Sequence, residues 1–214
     1  MYKKALVALT LAGSVASAQA SILLLSENFD NISPLPGWVQ TNQSTPGGTT
    51  SWFQGNAGVF AAQSGAETSY IAANFNNAGR DRNGVSTLNN WLITPTFSTE
   101  LAGEVTFWVK HDVDPSFDDF FSYGFSNGSA STASFAVGSA VKANTDWTLY
   151  SVNFAAAGAG SVGRFAINYR GDADTSNYIG IDTLTVTSVP EPTTLMILGA
   201  GLLGLVSLRR RQKN

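Results

Sequence analysis

The chain has 214 residues, 43% of them hydrophobic, with 21 glycines, a single histidine, no cysteine and a formal net charge of −3. Without cysteine there are no disulfides and no thiolate zinc, and one histidine excludes any multi-histidine metal centre, so stability has to come from a packed core. The acidic balance argues against nucleic acid or anionic lipid as partners of the main body, since both are recognised by clustered cations.

In chain order, Met1 to Ala20 opens with Lys3 and Lys4, continues as an apolar run from Ala5 to about Ala16, and ends on small residues at Ala18 and Ala20. That is the pattern of a secretory signal peptide, cleaved after Ala18-Gln19-Ala20 or, alternatively, after Ala16-Ser17-Ala18. The segment 21–188 follows. Its six basic residues stand against fourteen acidic ones, a net charge of −8 that the whole-chain value hides.

Within 21–188 the pattern is short strands and turns. Ile22 to Phe29 reads as a first strand, stopped by Asp30-Asn31 and by Pro34 and Pro36. Gly37 to Gln40 is short and aromatic, Gln43 to Thr50 is a polar loop, and Trp52-Phe53 and Tyr70 to Phe75 are further strands. Val105, Phe107 and Val109 alternate with Thr106, Trp108 and Lys110, so one face is apolar and Trp108 lies on the other. His111 to Asp119 is expected to be a solvated acidic loop. Phe120 to Phe125, Phe135 to Val137, Thr148 to Phe154, Gly163 to Arg170 and Ile179 to Val186 complete the set. In Gly163 to Arg170, Phe165, Ile167 and Tyr169 share one face. Nothing has a convincing helical period, and about ten or eleven short strands punctuated by Gly, Asn and Ser predict an all-β, jelly-roll-like antiparallel sandwich.

The last segment, 189–214, has three parts. Pro190, Glu191 and Pro192 are extended, because each proline fixes φ and lacks an amide donor. Leu195 to Leu208 is fourteen residues without a charge, and Arg209, Arg210, Arg211 and Lys213 close the chain. A spanning helix needs about 20 apolar residues, so this one is a short transmembrane helix that relies on snorkelling arginines and local thinning. The basic cluster stays cytoplasmic and acts as a stop-transfer signal. Pro190-Glu191-Pro192 is then presented just outside the membrane, where a membrane-embedded processing enzyme can reach it.

This tail resembles the PEP-CTERM sorting signal of Gram-negative bacteria. The resemblance implies an exosortase-type membrane protease as partner, transient anchoring in the inner membrane, and delivery to the cell surface or to an extracellular, exopolysaccharide-rich matrix. A second resemblance runs through 21–188. Glu27-Asn28-Phe29-Asp30, Pro36-Gly37-Trp38, Trp52-Phe53-Gln54-Gly55, Ser69 to Phe75, Asn90 to Pro95 and Tyr178-Ile179-Gly180-Ile181-Asp182 resemble the choice-of-anchor J domain, a relative of cleaved-adhesin and MAM-like jelly rolls. It implies a surface or adhesion module rather than an enzyme. The departure is Asp182-Thr183, where that family often has paired acids.

Two carboxylates stand out. Glu27 shares a parity with Leu23, Leu25 and Phe29, and Asp182 shares one with Leu184 and Val186, so both are expected on apolar faces, where an unpaired charge is costly. A structural Ca2+ held by Glu27, Asp182 and backbone carbonyls would compensate both; the alternatives are a bulge that turns Glu27 outward, or pairing with Arg164 or Arg170. His111 beside Asp112 is not expected to be catalytic, since strand neighbours point to opposite faces and no nucleophile motif accompanies them. No catalytic residue is assigned. Of the five tryptophans, at least three are expected in the core, and Trp108 is the candidate for stacking on a glycan. The sequence thus points to an exported structural, adhesive or glycan-binding protein. The alternative is a secreted polysaccharide hydrolase working through an Asp/Glu pair.

Overall fold

Alternation governs the longest strands. Along Gly103–His111 every second residue is buried and those between are half-buried, as a strand with one face on a core requires. The computed structural model describes residues 21–81 and 84–189. Among them are β1 (Ile22–Glu27), β2 (Val39–Asn42), β3 (Phe53–Gln54), β4 (Ile71–Asn74), β5 (Thr87–Ile93), β6 (Phe97–Ser98), β7 (Gly103–His111), β8 (Phe120–Ser126), β9 (Ala136–Val137), β10 (Val141–Lys142), β11 (Thr148–Phe154), β12 (Val162–Asp172) and β13 (Tyr178–Ser188). Single turns of 3-10 helix at Phe75–Asn77, Thr132–Ser134 and Ala173–Thr175 are the only helical pieces of the described residues. None is long and apolar enough to cross a membrane. The expected signal peptide, the Pro190-Glu191-Pro192 box, the short transmembrane helix and the basic cluster Arg209–Arg211 lie outside the described residues.

All strand pairs of the described residues are antiparallel, and most join strands far apart in sequence, as the long connections of a jelly roll require. A six-stranded sheet runs β11-β7-β13-β4-β3, with β1 also on β13. A seven-stranded sheet runs β10-β8-β12-β5-β2, with β6 also on β12 and β9 on β8. Residues 21–189 form one compact unit. The expected all-β, jelly-roll-like sandwich is what the chain adopts.

The core lies between the two sheets. Val105, Phe107 and Val109 from β7 and Ile179, Ile181, Leu184 and Val186 from β13 meet Phe121, Phe165, Ile167 and Tyr169 from the other side. Phe107 is fully buried and its ring sits 5.3–6.4 Å from those of Phe121, Tyr123, Tyr150 and Phe165, the edge-on and offset spacing that aromatic quadrupoles prefer.

Each outer face carries a strap. On the seven-stranded sheet, Phe135 covers Trp91, Ile93 and Ala166. On the six-stranded sheet the loop between β3 and β4 lays Phe60 over Tyr70, Ala72 and Tyr178. Gly180 permits this contact, because a Cβ there would stand about 2.9 Å from the rings of both Phe60 and Tyr70. The tyrosine hydroxyls face each other at 3.2 Å, and burial raises the pKa of both above the usual tyrosine range.

Three local expectations are corrected. A bulge at Leu24 shifts the register of β1, so Leu23 pairs with Thr187 and is 62% exposed, while Leu25 pairs with Val186 and Glu27 with Leu184 on the core side. A second bulge lies in β13 between Asp182 and Thr185, with Thr183 at φ 44°. It reverses the parity, so Asp182 points outward with Tyr178 and Gly180 while Leu184 and Val186 point in. Finally, the acidic run is solvated only between its ends, His111 and Asp119, which are buried. Asp119 is fully buried, whereas its neighbour Asp118 remains outside and pairs with Lys142 at 2.5 Å.

Candidate functional site

The two carboxylates picked from the sequence do not form one donor set. The register puts Glu27 on the core side of β1 and Asp182 on the outer side of β13. Glu27 accepts a hydrogen bond from the Phe29 amide at 2.9 Å, which fixes the tight exit from β1, where Phe29 has φ 54°. Asp182 accepts from the amides of Gln63 at 2.8 Å, Ser64 at 3.2 Å and Thr183 at 2.6 Å, and from the Thr183 hydroxyl at 3.1 Å. It anchors the strap. Burial outweighs these donors and raises its pKa above the usual carboxylate range. Arg164, the alternative partner for Glu27, donates instead to the carbonyls of Thr94 and Gly128. The described residues contain no group of three or more His, Asp or Glu able to hold a metal. With Glu27 and Asp182 on opposite faces of the sheet, chelation with EDTA is expected to leave the melting temperature of the protein unchanged; a drop of several degrees, reversed by Ca2+, would reinstate the calcium site.

His111 turns inward and faces Asp119, not Asp112. Its Nδ1 lies 3.6 Å from Asp119 Oδ2 and makes no hydrogen bond. Asp119 accepts from the Tyr169 hydroxyl at 2.5 Å and from the amides of Asn177 and Tyr178 at 3.0 and 3.2 Å. The tyrosine pKa is pushed well up by burial and then by the carboxylate beside it. Closed to solvent and filled with donors, this group ties β8, β12 and β13 together and is not open to a substrate.

Trp108 is on the outer face of the six-stranded sheet, half-buried, beside Leu149 of β11 and Asp182 of β13. The strap held by Asp182 rises on one side of it, and Lys110, one residue pair further along, holds its Nζ 5.1 Å from the centre of the Phe60 ring. The ledge offers one aromatic edge, flanked by the hydroxyls of Thr106 and Thr185, which bond each other at 2.7 Å. The remaining tryptophans are structural. Trp52 and Trp91 are buried, Trp38 packs on Phe29 at 5.3 Å, and Trp147 packs on Phe60 and donates to the Ala61 carbonyl.

A cleft of about 230 Å³ that the sequence did not reveal lies at one end of the sandwich. Its walls are two matched turns. Asn74 Oδ1 accepts the Asn76 amide and Asp172 Oδ1 accepts the Asp174 amide, each starting a 3-10 turn. The Phe75 amide then bonds to the Asn177 carbonyl, and the Ala173 amide to that of Ser86. The two turns are held side by side, and Phe117 from the acidic loop closes the cleft. Phe75, Phe117, Arg80, Asp174 and Asn76 face it. Among the described residues neither Arg80 nor Asp174 has an ion-pair partner. Phenyl faces beside an unpaired guanidinium, carboxylate and carboxamide can take a ligand with apolar C–H faces and several hydroxyls. The volume falls below the roughly 300–1,000 Å³ of pockets for drug-sized ligands, so the cleft fits one ring-sized unit.

Comparison with known proteins accounts for the two ends of this description. Residues 188–211 match the PEP-CTERM protein-sorting motif. The sandwich is similar to the K3 cleaved adhesin domain of Lys-gingipain from Porphyromonas gingivalis W83, at 21% identity and a TM-score of 0.60, over 79% of this chain and 99% of that one. The K1 cleaved adhesin domain of the same protein aligns at 21% identity and a TM-score of 0.57, over 76% of this chain and 96% of that one. At such identities the likeness shows the fold. No curated protein matches the chain.

Proposed function

We propose that this exported surface protein, sorted through its PEP-CTERM motif, is a non-catalytic adhesive module that binds a sugar unit of an extracellular polysaccharide. On this reading the tail holds the chain in the inner membrane for a time. An exosortase-type protease then cuts near Pro190-Glu191-Pro192, and the sandwich goes to the cell surface or the exopolysaccharide matrix.

The observation that carries the binding role is the cleft at the end of the sandwich, with two phenyl rings and unpaired polar groups in one recess. Hydrolysis of a glycoside would ask for two carboxylates about 5–9.5 Å apart across the scissile bond. The cleft lining has one, Asp174, and the buried Asp119 and Asp182 are saturated with donors. This favours binding over turnover.

Titration of the exported protein against a panel of soluble polysaccharides, including that of its host, tests the reading. Phe117→Ala is expected to weaken binding about tenfold, since one ring contact is worth on the order of 1.4 kcal/mol, and Trp108→Ala to leave it within about twofold. The reverse ranking would move the site to the Trp108 ledge. Binding that neither variant disturbs would remove both places. Release of reducing ends that vanishes in a folded Asp174→Asn variant would establish the hydrolase instead.

A further inference from the structure

Large apolar side chains left in solvent singly are ordinary, but several gathered at one place mark a contact surface. Nine are exposed among the described residues, and five of them, Ile22, Leu23, Leu101, Val162 and Val189, lie at one end of the sandwich. The register gathers them. Ile22 and Gly103 both pair with Ser188, so the starts of β1 and β7 and the end of β13 form one row. The Val189 amide donates to the Ala102 carbonyl at 2.8 Å, beside Leu101. The Thr99 amide donates to the Ser161 carbonyl at 3.0 Å and Val162 pairs with Ser98, which brings in the start of β12. The adjoining loop 155–161, Ala-Ala-Ala-Gly-Ala-Gly-Ser, carries no charge and is tied to Thr99 through the Ala157 amide. Acidity is concentrated elsewhere. Of the fourteen acids in 21–188, eight lie at the opposite end, four of them between Asp112 and Asp119. Only Glu100 and Glu104 lie at this one, where they accept from the Gly160 amide and the Ser151 hydroxyl.

We propose that this apolar end rests on the lipid surface of the membrane that holds the tail, an inference that builds on the reading of the tail as an anchor. Chain length selects the occupant. The sandwich ends at Val189 and the uncharged run begins at Leu195, so five residues join them and span at most about 17 Å. That spacer keeps this end close to the bilayer, where apolar side chains of interfacial segments sink roughly 5–10 Å into the headgroup boundary. Charge selects the orientation, because the acidic opposite end is repelled by anionic headgroups and the nearly neutral end is not. The nine residues of β7, at about 3.4 Å each, set the two ends roughly 30 Å apart. The cleft between Phe75 and Phe117 lies at the far end and so faces away from the membrane.

The absence of cysteine allows a single environment-sensitive fluorophore per chain. The full exported chain is labelled at Leu23→Cys or Leu101→Cys, at Leu149→Cys on the side, or at Val85→Cys or Val113→Cys at the far end. It is then placed in phosphatidylcholine vesicles that carry a spin-labelled lipid quencher. Labels at positions 23 and 101 are expected to shift to the blue and lose emission to the quencher, and those at 85, 113 and 149 to do neither. In the chain labelled at Leu101→Cys, Ile22→Glu with Leu23→Glu is expected to abolish both effects while the protein still floats with the vesicles. A chain that floats without a shift at 23 and 101 overturns the proposal and leaves the anchoring reading intact. So does an undiminished shift in the double variant, which would come from the tether alone, or stronger quenching at 149, which would lay the sandwich on its side. A chain that does not float removes the anchoring reading and the proposal with it. A shift that needs host membranes containing the processing protease gives the end to that enzyme. One that needs no vesicles and grows with protein concentration gives it to a second copy, and either result overturns the proposal.

Discussion

Replacing Asp119 with alanine is expected to remove a large part of the stability of the sandwich. The side chain is fully buried and accepts three hydrogen bonds, from Tyr169, Asn177 and Tyr178. Alanine would leave a buried tyrosine hydroxyl and two amides without an acceptor, and would expose the His111 ring to an empty space. Hydrogen bonds to a charged acceptor contribute about 1.5–3 kcal/mol each, and breaking a buried polar pair costs about 3–5 kcal/mol. Domains of this size are stable by roughly 5–15 kcal/mol in total. A loss of about 3–5 kcal/mol in denaturant unfolding is therefore the expected result. Asp119→Asn, which keeps the shape and one good acceptor, should fall between the two. A loss below about 1 kcal/mol, the value of one ordinary neutral hydrogen bond, would mean that the group does not join the strands as described.

The largest effect on fate is expected from the tail. Changing Pro190, Glu191 and Pro192 together to alanine removes the two prolines that, on the sequence reading, keep the box from being helical, since alanine is the best helix former and proline the worst. The sequence feature that the proposed membrane-embedded protease would recognise is then lost. The variant is expected to accumulate at full length in the membrane fraction, with little at the surface or in the medium, while the wild type does not. Fractionation of host cells with detection of the sandwich reads this directly. Equal processing of variant and wild type would show that the motif at 188–211 does not direct the cut.

Much of the fold was legible because strand periodicity is a local signal. Val105, Phe107 and Val109 announce their face by alternation, and so do Phe165, Ile167 and Tyr169, and all six lie in the core. The tail was legible for a different reason, since three unlike parts in fixed order rarely coincide. What failed was parity carried across a bulge. Nothing in Ile181-Asp182-Thr183-Leu184 signals that a β-branched threonine will adopt φ 44°, yet that one residue moves Asp182 from the inner to the outer face.

Asp119 was hidden by its company. In an acidic run every carboxylate looks solvated, and only pairing with Tyr169 and the β13 amides, about fifty to sixty residues away, separates it from Asp118. The strap across Phe60 and the cleft between Phe75 and Phe117 are likewise assembled from segments distant in sequence. No window of a few residues contains them. Ile22, Leu23, Leu101, Val162 and Val189 are each plainly apolar in the sequence; that they gather at one end depends on the topology of both sheets.

The measurement closest to the central claim is the intact mass of the mature protein recovered from its own host. The mature chain is expected to start at Ser21, or at Gln19 by the alternative cleavage, and to stop close to Pro190-Glu191-Pro192. A mature chain that still carries Arg209, Arg210 and Arg211 would contradict it.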